Sequence, residues 1–122
     1  MFHYRITVQS SPLHGRGIFV QEKILKGAIV YTIREEDVEY FPMSSFCNLS
    51  QERKKEIRHF GYLNKADHAW YLAKDEIRYC NHATEGNISL SKDALIATRD
   101  IDAGEELTQN YAEFEDLREE LQ

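Results

Sequence analysis

Two asparagines, a histidine and a tyrosine are the reactive or ligand-binding candidates in this chain. Asn81-His82 follows Arg78-Tyr79-Cys80, Asn87 comes soon after, and Tyr111 closes the stretch Gly104-Glu105-Glu106-Leu107-Thr108-Gln109-Asn110-Tyr111. A carboxamide set in apolar sequence satisfies backbone groups where segments cross, or it meets a ligand; Asn81 and Asn87 fit either role. His82 on its own reads more readily as a packed, hydrogen-bonded histidine than as a base. The five histidines (His3, His14, His59, His68, His82) are scattered, and no second His or Cys sits at metal-ligand spacing from His82, so no metal site is expected. Tyr111 by itself reads as a core aromatic with its hydroxyl in water. Near the start, His14-Gly15-Arg16-Gly17 precedes the apolar Ile18-Phe19-Val20. That is either a tight turn needing positive φ or a backbone left bare for a ligand. A dinucleotide-binding loop would need a helix next, and here a strand follows.

The elements that must hold these residues are mainly strands. Tyr4 to Val8 alternates, and Ser10-Ser11-Pro12 breaks it. Ile18 to Val20 is the next strand, Lys26-Gly27 a turn, and Ala28 to Ile33 another strand. The pattern returns late in the chain as Leu95 to Ala97, a turn at Asp102-Ala103-Gly104, and Glu105 to Thr108. The two segments superpose without a gap at an offset of 77 residues: Ile18 on Leu95, Ile24 on Ile101, Gly27 on Gly104. Each copy is too short to fold alone, so the reading is a compact β-fold with pseudo-symmetric halves, or else a chance likeness of two hairpins.

Between the copies, Glu35 to Asn48 is polar and aromatic without clean periodicity. Ser50 to His59 predicts a helix, with Ser50 as N-cap, Glu52 in the first turn, Arg58 and His59 in the last, and Gly61 past the end. At the end of the chain, Glu113 to Leu121 places Phe114, Leu117 and Leu121 on one helical face opposite acids.

A chain of 122 residues is expected to form one domain, and 42% hydrophobic content is that of a globular protein. No run approaches the ~20 apolar residues of a membrane span, and Met1 to Arg5 has no signal-peptide character. The expectation is therefore an intracellular, soluble protein, cytoplasmic, or nuclear or nucleoid if its substrate is chromatin. A net charge of −6 argues against direct nucleic-acid contact and for a basic partner, although much of it lies in the last ten residues. Cys47 and Cys80 are too few for a zinc knot or a disulfide framework and read as small apolar residues.

Taken together and in order, three segments resemble the SET-domain protein lysine methyltransferases, and the resemblance spans most of the chain. His14-Gly15-Arg16-Gly17-Ile18-Phe19 is similar to the family's first motif. Arg78 to Asn87 is similar to its Arg-Phe-x-Asn-His-Ser-x-x-Pro-Asn motif, with Tyr79, Ala83 and Gly86 in place of Phe, Ser and Pro. Ala97 to Tyr111 resembles the final motif. The chain looks like a minimal bacterial- or viral-type member, without cysteine-rich zinc segments on either side.

The resemblance implies a mainly β fold with short helices, the SET-domain (β-clip) arrangement of small twisted sheets around a C-terminal pseudoknot. It implies a single domain: an N-terminal part over 1–34, a variable insert over 35–70, a C-terminal part with the knot over 71–112 and a helix over 113–122. It implies methyl transfer from S-adenosylmethionine to the ε-amine of a lysine in a basic protein or peptide, with no membrane partner. By the same resemblance Tyr111 is catalytic. His14, Gly15, Arg16, Gly17, Tyr79, Asn81 and His82 contact the cofactor, with Phe114 stacking on its adenine. Tyr71 is expected to line the lysine channel, and Arg78 and Asn87 to form the knot. A domain this small can gain a groove wall by forming a homodimer, though no coiled coil or apolar strip points to one. The rival reading is a non-catalytic SET-like module that binds a protein or peptide, and a third is a β-clip domain for sugars or acidic ligands.

Overall fold

The computed structural model describes residues 1–64 and 66–110; Tyr111, Phe114 and the helix expected over 113–122 lie outside them. The described residues fall into two compact units, one formed by residues 1–34 and 79–110 and the other by residues 35–78.

The first unit is built on strands β1 (Ile6–Ser10), β2 (Arg16–Val20), β3 (Ile29–Thr32), β7 (Asn81–His82), β8 (Ile88–Ser91), β9 (Ala94–Ala97) and β10 (Glu106–Gln109). They join in the order β1-β2-β10-β8-β9-β3, with β7 paired to β10. The apolar alternation of β2 and β9 turns Ile18, Val20, Leu95 and Ala97 into the core, where they meet Ile24, Val30, Ile88, Ile101 and Leu107.

The two similar segments are intertwined. The second strand of each copy pairs with the first strand of the other: Glu106 lies opposite Phe19, and Ile29 lies opposite Ile96. The connecting hydrogen bonds repeat in swapped pairs. Ile24 N–H donates to Ile101 O at 2.8 Å and Ile101 N–H returns the bond to Ile24 O at 2.8 Å. Gly27 N–H donates to Ala97 O and Gly104 N–H to Val20 O, both at 2.8 Å. Gly27 and Gly104 sit at the same turn position with φ of +88° and +92°, a region a side chain would disfavour. The internal repeat is thus a pseudo-twofold pair in which each half completes the other's sheet.

The second unit supplies three strands that the sequence pattern did not reveal: β4 (Val38–Pro42), β5 (Tyr62–Asn64) and β6 (Ala69–Ala73), ordered β4-β6-β5. Helices α1 (Met43–Phe46) and α2 (Gln51–Phe60) lie with them. Ser50 caps α2, its hydroxyl accepting from Arg53 N–H at 3.1 Å, and the N–H of Gly61 closes it on Ile57 O at 2.7 Å. Phe46, Ile57 and Leu72 form the small core, with Phe41 and Trp70 packed against it.

Charges run alternately over this core. Arg53 bonds both Glu39 (2.9 Å) and Glu56, and Glu56 also accepts from Arg78 at 3.2 Å. The Arg53 guanidinium holds the Glu56 carboxyl below its ordinary value of 4.5; partial burial opposes this and Arg78 assists it. A depressed carboxylate stabilises the fold above its unfolded pKa, and that contribution is lost as pH falls through the folded value. Tm should therefore decline on acidification below about pH 4.5, and less steeply in Glu56→Gln; parallel Tm–pH curves for the two proteins would contradict this origin.

Candidate active site

The site grows from one carboxamide. Asn81 opens β7 beside Thr108 of β10, and its side chain is buried. Its Nδ2 group donates to His14 O (3.0 Å), Arg16 O (2.9 Å) and Glu106 Oε2 (2.8 Å). Three acceptors around one amide nitrogen fix which way the amide points, since its oxygen could not take that place. The Glu106 carboxylate is gripped again by the Ser11 hydroxyl, at 2.8 and 2.9 Å to its two oxygens. Gly17 makes room for it, because a Cβ there would come within 2.2 Å of Glu106 Oε2. Four segments of chain, at Ser11, His14–Gly17, Asn81 and Glu106, are thereby held at one point.

Asn87 provides the second clasp. Its Nδ2 donates to Glu106 O at 2.7 Å and its Oδ1 accepts from Thr108 N–H at 2.8 Å, so one side chain imitates a strand neighbour of β10. β10 runs parallel to β7 and touches β8 in parallel at Gln109 and Ile88. The loop between β7 and β8 is tied down by Ala83 N–H to Gln109 O (3.2 Å) and by Asn110 Nδ2 to Thr84 O (3.1 Å). Gly86 lies directly on β10: a Cβ there would meet Gln109 Cα and Thr108 O at 2.8 Å. The glycine that replaces the motif's usual proline thus brings two backbones into close approach.

Of the residues expected to form the site, the carbonyls of His14 and Arg16, the backbone of Gly17, and Asn81 converge. Gly15 sits at φ +45° with nothing within 4 Å of where a Cβ would stand, leaving that backbone open. His82 is exposed next to Asn81 and pairs with Gln109, and Tyr79 is half-buried at the end of a 3-10 turn (Glu76–Tyr79). Tyr111 follows Asn110 in the chain, but it and Phe114 lie outside the described residues. Tyr71 belongs to β6 of the second unit, stacked on Tyr62 and in contact with Tyr40. Among the described residues the Arg78 guanidinium bonds Ala73 O, at 3.1 Å from Nε and 2.9 Å from Nη2, and Glu56. Asn87 clasps β10, as expected of a knot-forming residue.

Three participants escaped the sequence reading. Glu106 and Gln109 stood only as members of the stretch that Tyr111 closes, and Ser11 as part of a strand break. Gln109 is 94% buried on the Leu107 face of β10, and its Nε2 has no hydrogen-bond partner among the described residues. Its only advance sign was a long polar residue between Thr108 and Asn110 in an otherwise closing strand. The Cys80 thiol is fully buried; burial, then Glu106, pushes its pKa up to about 12, so it carries no thiolate chemistry. Among the described residues no cluster of His, Cys, Asp or Glu is gathered for a metal ion.

A mixed sheet closed by the passage of β10 beside the Asn81–Asn87 segment, with the first glycine motif clasped to it, defines a small β fold built round a chain crossing. The SET domain family model matches residues 15–112, and the chain belongs to that family, whose methyltransferases use S-adenosylmethionine. Among solved structures it is similar to a Chaetomium thermophilum Polycomb Repressive Complex 2 chain in an autoinhibited conformation bound to S-adenosylmethionine, at 25% identity and TM-score 0.68. The match covers 97% of this chain and 16% of that one. A humanized mutant of the same complex, bound to the inhibitor GSK343, matches at 26% identity and TM-score 0.70, over 97% of this chain and 16% of the other. A candidate histone methyltransferase of Plasmodium falciparum shares the fold, with 19% identity, TM-score 0.64, and coverage of 90% of this chain and 95% of that one. This chain thus spans about a sixth of the Polycomb chains it matches. No curated protein sequence matches it.

The residues present fit the family's cofactor. The Gly15 backbone is open, and among the described residues the buried Gln109 amide leaves a donor unspent, a state that costs about 1–3 kcal/mol unless a further group meets it. Two substitutions probe this geometry. Gly86→Ala should lower stability by about 1–3 kcal/mol through the forced approach to Thr108 and Gln109, as read from denaturant midpoints. Gln109→Met keeps the volume and removes the orphan donor, so the cofactor-free protein should show an unchanged or higher Tm. A clear fall would mean that the amide is bonded within the fold.

Proposed function

We propose that the chain transfers a methyl group from S-adenosylmethionine to the ε-amine of a lysine in a basic protein or peptide. The observation that carries this reading is the convergence of the three motif segments on Asn81 and Glu106, which sets the open Gly15 backbone beside the strand that leads into Tyr111. When bound, S-adenosylmethionine supplies a methyl on a sulfonium; the amine lone pair forms the new N–C bond as S–C breaks, leaving a thioether, and a proton leaves to water.

The chain's own contribution is binding and alignment. His14, Gly15, Arg16 and Gly17 hold the cofactor along their backbone, with Tyr79, Asn81 and His82 from the crossing and Phe114 from the C-terminal segment. The Asn81 Oδ1, with no partner among the described residues, is an acceptor available to an ammonium group. Tyr111 orients the amine and its hydroxyl stabilises the moving methyl, while Tyr71 lines the approach of the lysine. A lysine amine titrates near ~10.4 in water and must lose its proton to become a nucleophile, which desolvation at the site favours. No separate general base is needed if water takes that proton. The acidic balance of the chain, −6 overall, suits a basic substrate.

Isothermal titration with S-adenosylmethionine, paired with methyl-transfer assays on lysine-containing peptide arrays, tests the reading. Tyr111→Phe should bind the cofactor as the wild type does and lose most turnover. Unimpaired turnover in that variant would remove Tyr111 from catalysis, and a folded wild type that binds no cofactor would overturn the whole reading in favour of a non-catalytic module.

A further inference from the structure

The large sheet of the first unit ends in two edges that are finished differently. At β3, the N–H of His3 donates to Val30 O at 3.0 Å and the N–H of Thr32 to Met1 O at 2.9 Å, so Met1 and His3 cover that edge. At β1 the only neighbour in the sheet is β2, through an unbroken register from Ile6 opposite Val20 to Ser10 opposite Arg16. Just beyond the ends of the strand, Gln21 N–H donates to Arg5 O at 2.9 Å and Ser11 N–H to Gly15 O at 2.8 Å. Opposed residues of an antiparallel pair are hydrogen-bonded alternately, so Arg5, Thr7, Gln9 and Ser11 are the residues that bond to β2. The N–H and C=O groups of Ile6, Val8 and Ser10 point the other way, and among the described residues no other segment meets them.

A bare strand edge is a template for another strand, and edges are ordinarily guarded by lysines, proline, a bulge or shortness. β1 has none of these. Its residues Ile6-Thr7-Val8-Gln9-Ser10 include no charge and no proline, and its register has no irregularity. Arg5, just before it, is neutralised by Glu22 at 3.6 Å, and its N–H is held by the same carboxylate at 2.9 Å. The smaller sheet of the second unit shows the usual guards: β5 has three residues, and β4 carries Glu39 and ends at Pro42. On β1 the side chains of Ile6 and Val8 are half-buried, while Thr7, Gln9 and Ser10 are exposed.

We infer that the open edge of β1 pairs with β1 of a second copy of this chain, antiparallel about a twofold axis at Val8. The outward-facing residues are evenly spaced with Val8 in the middle, so the edge is complementary to itself. Val8 exchanges N–H···O=C bonds with the partner's Val8, and Ile6 does so with the partner's Ser10, so every outward group of both strands is met. Thr7 then lies opposite the partner's Gln9, a hydroxyl facing an amide on the exposed side of the joined sheet. Charge favours a like strand over a basic or acidic one: the edge offers a charged strand no counter-charge and sets no like charges together in a pair of copies. β1 runs directly into Ser11, whose hydroxyl grips Glu106, so the joined edge also steadies the hairpin that carries Gly15. The pairing goes beyond the methyl-transfer reading and does not depend on it.

Sedimentation equilibrium of the full chain over a range of protein concentrations, without cofactor, tests this. The wild type should show a monomer–dimer equilibrium that added salt does not weaken, since each copy carries −6 and the edge no charge. Ser10→Pro removes an outward N–H and no bond to β2, so it should keep the wild-type Tm and dimerise about tenfold more weakly, the bond being lost twice by symmetry. Gln9→Lys, at an exposed position, sets two ammonium groups near the axis and should also weaken the dimer. In hydrogen exchange, the Ile6 and Val8 amides should gain protection as concentration rises, while Thr7, already bonded to β2, should be protected throughout. A wild type that stays monomeric at every concentration would overturn the inference and leave the edge to a strand of a different protein. A dimer that both variants and the Ile6 and Val8 amides leave unmarked would overturn it as well, by placing the interface elsewhere. Tyr111→Phe should dimerise as the wild type does, so failure of the methyl-transfer reading and failure of the pairing are distinguishable.

Discussion

The contact on which the first unit depends is the bond between the Asn81 amide and the Glu106 carboxylate, 2.8 Å long. The carboxylate is a half-buried charge, and such a charge is tolerated only where donors surround it. Asn81 and Ser11 are those donors, and Gly17 leaves the space. Because the same Asn81 nitrogen reaches the carbonyls of His14 and Arg16, satisfying the charge also fixes the first glycine motif against β10. Packing, charge compensation and the placement of the candidate cofactor backbone thus share one set of atoms. Removing any one partner leaves buried polar groups exposed to the full desolvation penalty, so these positions are coupled rather than additive.

Around that contact the intertwined halves provide stiffness. Each half lends a strand to the other, and the reciprocal bonds between Ile24 and Ile101 close the exchange through the middle of the core. The symmetry is broken where function requires it. The position equivalent to Ile29 in the second copy is Glu106, so an exposed apolar residue in one half corresponds to the polar anchor in the other. The second copy alone is crossed by the Asn81–Asn87 segment.

The second unit follows a different logic. Its core is small, with Phe46, Ile57 and Leu72 at the centre, and arginines on α2 and at Arg78 extend it by lying over phenylalanine rings while pairing with Glu39 and Glu56. Long cationic side chains here act as both apolar cover and charge partner. On the opposite sheet face, no cation lies over Tyr40 among the described residues.

Features governed by local periodicity and local chemistry were legible from the residues. The alternation of β2 and β9, the turns at Gly27 and Gly104, the Ser50 and Gly61 ends of α2, and the offset of 77 residues between copies all depend on neighbours within a few positions. The three motifs in order were likewise enough to show the family, and with it the mainly β fold. The tertiary structure alone decided which side chains those motifs use. Glu106 shows no sign of its role until β2, β7 and Ser11 close around it, and the partners of Arg78, Ala73 and Glu56, are set by the folding of its own unit. β5 is too short to show a period, and the tyrosine row exists only because register sets residues 40, 71 and 62 abreast. The physical reason is the same in each case: hydrogen bonds and stacking between distant segments depend on strand order and register, which no local window of sequence contains.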